Sequence, residues 1–186
     1  MASDDVIRPI VAACIMNPSN GKEEMVYALI DSEADRDFIS TKLAKRLGLK
    51  ISTKWTELNS VNTTTVGWSP RAEMAIKSSN GSYRSEVEDA LVGDFTAAKG
   101  DLPPAKRDLS KAEHLKGTHF INIDAKVEAL ISVAHGETFW GWKIKTGLKN
   151  QPILMDTAFG YTVAGLTTKG KVHQRQSHPY QLRTTS

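Results

Sequence analysis

The sequence predicts a mainly β fold with one or two short helices, and three observations carry that prediction. Short apolar runs rich in strand formers recur along the chain, at Ile7 to Met16, Val26 to Ile30 and Val127 to Val133. Clusters of turn formers separate such runs, notably Asn17 to Lys22 and Ser78 to Gly81. A helical apolar face is clearest at Leu43, Ala44 and Leu47, between Ser40 as N-cap and Gly48 as stop.

In chain order, Ile7 to Met16 reads as a strand and Met25 to Ile30 as its hairpin partner across the Asn17–Lys22 turn. The second strand runs out on Asp31-Ser32, and a polar turn, Glu33 to Asp37, leads through Phe38 and Ile39 into the helix. A carboxylate at the end of an apolar strand is held on a rigid element, where chemistry can be positioned. Ile51 to Thr65 has the Thr, Val and Trp content of extended structure, and Val66 to Ile76 and Tyr83 to Val92 form a further hairpin. Phe95 to Lys116, with Pro103-Pro104 and many charges, reads as an exposed loop holding at most one short helix. Thr118 to Asp124 is a short candidate strand, Val127 to Val133 the second strongly apolar one, and Ile153 to Leu166 supplies one or two closing strands. Trp140 and Trp142 read as packing aromatics.

Composition bounds the class. The chain has 186 residues, 40% hydrophobic and 24% charged, which suits one domain with a sizeable core. Residues 1–166 are read as that domain and 167–186 as a basic flexible tail or linker, with four Lys or Arg, two His and no acid. A net charge of +3 is only mildly basic and weak evidence for nucleic-acid binding, which is not expected except weakly through the tail. The single Cys14 rules out an intrachain disulfide and sits in an apolar run as an inert thiol. His114 and His119 lack the companions a metal site needs, and nothing calls for a cofactor. With no long apolar span and an acidic start, the reading is an intracellular protein with no membrane partner.

Three segments carry a family likeness: ALIDSEAD (28–35), FIS (38–40) and LAKRLGL (43–49). Together they resemble the signature of retropepsin-like aspartic proteases, most nearly the protease domain of Pao/BEL-type retrotransposons. HLKG (114–117), EALIS (128–132) and FGYTVAG (159–165) are similar to later landmarks of that domain, so the likeness runs roughly from Val11 to Leu166. The resemblance implies a closed, barrel-like β fold and a hairpin flap after the first helix, with its tip near 59–65. It also implies that Asp31 is the ancestral catalytic position, with Ser32 supporting it.

Aspartic proteolysis needs two carboxylates sharing one proton, one acting as base on water and the other as acid. The chain offers one at a strand end in the right context, so a C2 homodimer giving Asp31 from each subunit is the economical solution. Asp156-Thr157 resembles a second copy only superficially, since the chain is too short for two lobes. Two departures from the family pattern stand against catalysis. Glu33 replaces the glycine that lets the backbone come close to substrate and partner, adding like charge beside the dyad. Ser132 replaces the glycine of the second apolar strand's end, and Ala134 the polar residue that follows. The expectation is therefore a retrotransposon-derived, catalytically inactive domain that acts as a protein–protein interaction or homodimerisation module, a homodimer with a peptide or protein partner in the former substrate groove. An active homodimeric aspartic endopeptidase is the alternative.

Overall fold

The computed structural model describes residues 6–59, 64–95, 101–136 and 144–166. The acidic start, the tip residues 60–63, Trp140, Trp142 and the tail 167–186 lie outside the described residues.

The strands are β1 (Val6–Ile7), β2 (Ile10–Met16), β3 (Glu23–Asp31), β4 (Phe38–Ser40), β5 (Ile51–Asn59) and β6 (Thr64–Ser78). They continue with β7 (Arg84–Gly93), β8 (Val127–Ser132), β9 (Ile144–Lys145), β10 (Ile153–Thr157) and β11 (Gly160–Leu166). An α-helix, α1 (Thr41–Leu47), follows β4. Seven strands lie in the order β2-β3-β8-β4-β7-β6-β5, and β2 also pairs with β6. That extra pairing closes six strands into a barrel and leaves β5 outside the ring. Strands β1, β11, β10 and β9 form a second, smaller sheet.

Burial explains the apolar runs. Along β2 and β3, Val11, Ala13, Ile15, Val26, Ala28 and Ile30 face the barrel interior, joined by Ile39, Met74, Ile76 and Ile131. The alternate residues Ile10, Ala12, Tyr27 and Leu29 are buried too, under Ile121, Ile123 and Ala125. Both faces are covered, which is why these strands read as continuous apolar runs rather than alternating ones.

The helix forms where its capping signals lie. Ser40 is extended (φ −67°, ψ 145°) and its Oγ accepts from the Leu43 N–H at 3.0 Å. Gly48 ends the helix at φ 66°, a left-handed conformation that glycine adopts without strain. Leu43, Ala44 and Leu47 are the buried face.

Three local expectations change. Val6–Ile7 leaves the first strand as β1, broken at Arg8-Pro9, and pairs with β11 instead of β3. Thr118 to Asp124 forms no strand, because its polar backbone turns to a side chain. Tyr27 Oη donates to the Ile121 carbonyl (3.3 Å) and accepts from the Ile123 N–H (2.9 Å). The stretch 101–116 carries two 3-10 turns, Pro104–Lys106 and Glu113–Leu115. It is not simply exposed, since Ala112 and Leu115 pack beneath Ile7, Leu154 and Val163 of the small sheet. Among the described residues no helix is long and apolar enough to cross a membrane.

Candidate functional site at the end of strand β3

Asp31 is the last residue of β3 and stands beside Ser132, the last residue of the parallel strand β8. Its half-buried side chain accepts from the Glu33 N–H through Oδ1 at 2.9 Å, an Asx turn that starts the loop. Ser32 and Glu33 are exposed, and Glu33 does not need a positive φ. The four places of interest in the sequence therefore converge: Asp31, Ser32 and Glu33 on one loop, with Ser132 beside it.

Ser132 is fully buried. Its N–H donates to Asp37 Oδ1 (2.8 Å), and its Oγ accepts from the Ala134 N–H (3.3 Å), capping the 3-10 turn Val133–His135. The Val133 N–H donates to the Ala34 carbonyl (3.0 Å). The end of β8 is thereby stitched to the Asp31 loop from both sides.

Sequence reasoning missed the groups that do most of this stitching. Asp37, read as the end of a polar turn, is only 4% exposed. Its Oδ2 accepts from His135 Nε2 at 2.6 Å, and His135 Nδ1 lies 3.1 Å from Ser85 Oγ on β7. The Leu91 N–H donates to the Asp37 carbonyl, tying the same residue to β7 by its backbone (2.9 Å). No local signal separates Asp37 from the exposed Asp35 two residues earlier. What distinguishes them is a histidine 98 positions away.

On the other side of the loop, Arg36, Lys54 and Arg71 surround Asp89 at 3.0, 2.9 and 3.6 Å. Arg71 is 2% exposed, and its Nη2 donates to Thr56 Oγ1 while Nη1 donates to the Asp89 carbonyl. Burial pulls the Arg71 guanidinium below its ordinary value against the opposing charge of Asp89. Burial pushes the Asp89 carboxyl up, but Lys54, Arg71 and Arg36 together hold it below the usual range. These ion pairs moor the β5–β6 hairpin to β7 and, through Arg36, to the Asp31 loop. A depression of about 360 Å³ lies beside them, walled by Asp35, Arg36, Glu88, Asp89 and His135.

Chemically, the loop presents one half-buried carboxylate at a rigid strand end, with a hydroxyl and a second carboxylate exposed beside it. Asp156, by contrast, lies in β10 opposite Tyr161, in the small sheet. His114 Nε2 lies 2.8 Å from the Pro152 carbonyl, in the packing of that sheet. Among the described residues no group of three or more His, Cys, Asp or Glu is arranged to hold a metal ion. Compared with known proteins, the chain matches no family model, no curated protein and no solved structure.

Proposed function

We propose that the chain is a retropepsin-like domain of the Pao/BEL retrotransposon type that does not cut peptides and serves as a protein-binding or homodimerisation module. The observation that carries this reading is the composition of the Asp31 loop. A single chain brings one carboxylate to the end of β3, and its neighbour two residues on is the exposed acid Glu33. A proton-sharing dyad needs a second Asp31 brought close by symmetry. That approach would also bring two Glu33 carboxylates toward the same axis, and like charges in a poorly solvated interface oppose association. Of the loop's other acids, the buried Asp37 is committed to His135 and Ser132 and is not free for chemistry. An intracellular setting belongs to the same proposal, supported by the lone buried thiol of Cys14.

The second reading, an active homodimeric aspartic endopeptidase, is favoured by one observation. Asp31 and Ser32 stand together on a loop whose Asx turn and β8 contacts are intact, and Glu33 fits without left-handed strain. Incubation with a diverse peptide library from acidic to neutral pH, beside Asp31→Asn, separates the two. No cleavage from folded protein is the expected result. Cleavage abolished by Asp31→Asn would overturn it and establish the dyad.

A further inference from the structure

The barrel satisfies its strands by closing, and β5 is the exception. It is the terminal strand of the seven-stranded order and, among the described residues, pairs with β6 alone. Nine consecutive residue pairs run along β5 and β6 without a register shift. One side of β5 is thus an unpaired row of backbone donors and acceptors, with no bulge to twist it away. Its sequence, ISTKWTELN, contains neither proline nor glycine. The length of β6 beside it, by contrast, carries Gly67 and Pro70, residues that weaken or block further pairing.

One face of the same hairpin, the continuation of the barrel-lining row Ala72, Met74 and Ile76, carries exposed apolar side chains. Trp55 and Trp68 stand directly opposite each other, edge to face at 5.8 Å between ring centres. They are 62% and 68% exposed, with Val66 half exposed beside them. An open ladder edge and an uncovered aromatic at its middle, Trp55, are independent features that pairing with a further strand would engage. We propose that β5 pairs antiparallel with the β5 of a second copy of this chain.

Symmetry and charge favour a second copy as the occupant. A two-fold axis perpendicular to the sheet keeps the tryptophan-bearing faces of both copies on one side, and it fixes which residues can oppose each other. The full-length register sets position 51 against 59. It places Trp55 on the axis against its own copy, Thr53 opposite Glu57, and Lys54 opposite Thr56. No like charges are directly opposed. Sliding the copies to bring Lys54 onto the axis would set it against its own copy, an unfavourable cross-strand pair. Each tryptophan leaves on the order of 150 Å² uncovered. Edge pairing brings Trp55 against its own copy along a nine-residue ladder but leaves the sheet faces open, so the contact stays below about 1,200 Å², in the range of weak association. The product is a weak dimer joined by its arms, in which each Asp31 loop keeps its single carboxylate. The inference does not depend on whether Asp31 is catalytic.

Sedimentation velocity of the full chain across micromolar and higher concentrations tests it, beside Trp55→Lys and Glu33→Gly. The expected result is a concentration-dependent dimer, with Kd at least about tenfold weaker in Trp55→Lys and unchanged in Glu33→Gly. A monomer at every concentration would overturn the proposal, and so would a dimer indifferent to Trp55→Lys. A dimer that tightens in Glu33→Gly would assign association to the Asp31 loops instead. Thr53→Cys with Glu57→Cys, in a Cys14→Ala chain, provides a separate check. Oxidation should yield a covalent dimer, and a chain that stays monomeric under oxidation would also overturn the pairing.

Discussion

The Asp31 loop and the β5–β6 arm treat their polar groups in opposite ways. The loop turns inward: Asp37 is spent on His135 and Ser132, and the Val133 and Leu91 amides are spent on loop carbonyls. Among the described residues the arm's ion pairs, from Lys54 and Arg71 to Asp89, lie at its base, and its two indoles are exposed. The loop is over-determined by buried bonds whose loss cannot be made good by solvent. The arm is under-determined, and what it lacks is a partner. Stability should therefore be sensitive at the loop and insensitive on the arm, while association should show the reverse.

The largest effect is expected where the loop is most committed. Asp37→Ala leaves His135 and the buried Ser132 N–H without their acceptor and removes one member of a buried pair. Each buried polar group left without its partner costs about 1–3 kcal/mol. Chemical denaturation of the variant should show a loss of that order. A loss below about 1 kcal/mol, the scale of a surface interaction, would mean that the loop is not held by this network.

The strands of the barrel and the helix α1 were legible because they follow local rules, whereas the closure through β2 and β6 was expected only from the family likeness. Ser40 and Gly48 bracket α1 at the residues whose side chain and conformational freedom caps require, and the apolar runs became β2, β3 and β8. The split of β1 from β2 and the coil at 118–124 were not legible. Each depends on a partner distant in sequence, β11 for the first and the Tyr27 hydroxyl for the second. The site divided in the same way. Asp31, Ser32, Glu33 and Ser132 stood out by motif and do come together. Asp37, His135 and Arg71 owe their roles to burial, which no spacing announced. The exposed tryptophan pair was hidden for the opposite reason, since Trp in a sequence suggests packing first.

An intermediate effect is expected where the helix meets the barrel. Ser40 Oγ accepts from Leu43 N–H and donates to Glu128 Oε1 at 3.0 Å, while Arg46 reaches the same carboxylate. Burial pushes the Glu128 carboxyl up, but the Arg46 and Ser40 hydrogen bonds outweigh it and hold the group below the usual glutamate range. A depressed folded-state pKa gives stability that is present above the unfolded-state value and lost as pH falls through the folded one. Ser40→Ala should cost about 1 kcal/mol, lowering Tm by about 2–4 °C. The Tm gap between the wild type and Glu128→Gln should be widest near neutral pH and close as the solution is taken below the ordinary glutamate range. A gap that widens on acidification would reverse the sign assigned to Glu128.

The smallest effect on stability is expected on the arm. Trp68 is two-thirds exposed, and its close aromatic neighbour is Trp55, itself exposed. Replacing it with Thr, a strand former of smaller area, removes little that folding buried, and surface changes of this kind stay within about 0.5 kcal/mol. Thermal melts at low protein concentration should therefore barely move, while the concentration dependence of Tm, which a folded dimer imposes by mass action, should shrink. A large loss of monomer stability would mean that the indole pair braces the hairpin rather than waiting for a second copy. That outcome would erase the contrast between an arm ordered by association and a loop ordered by burial.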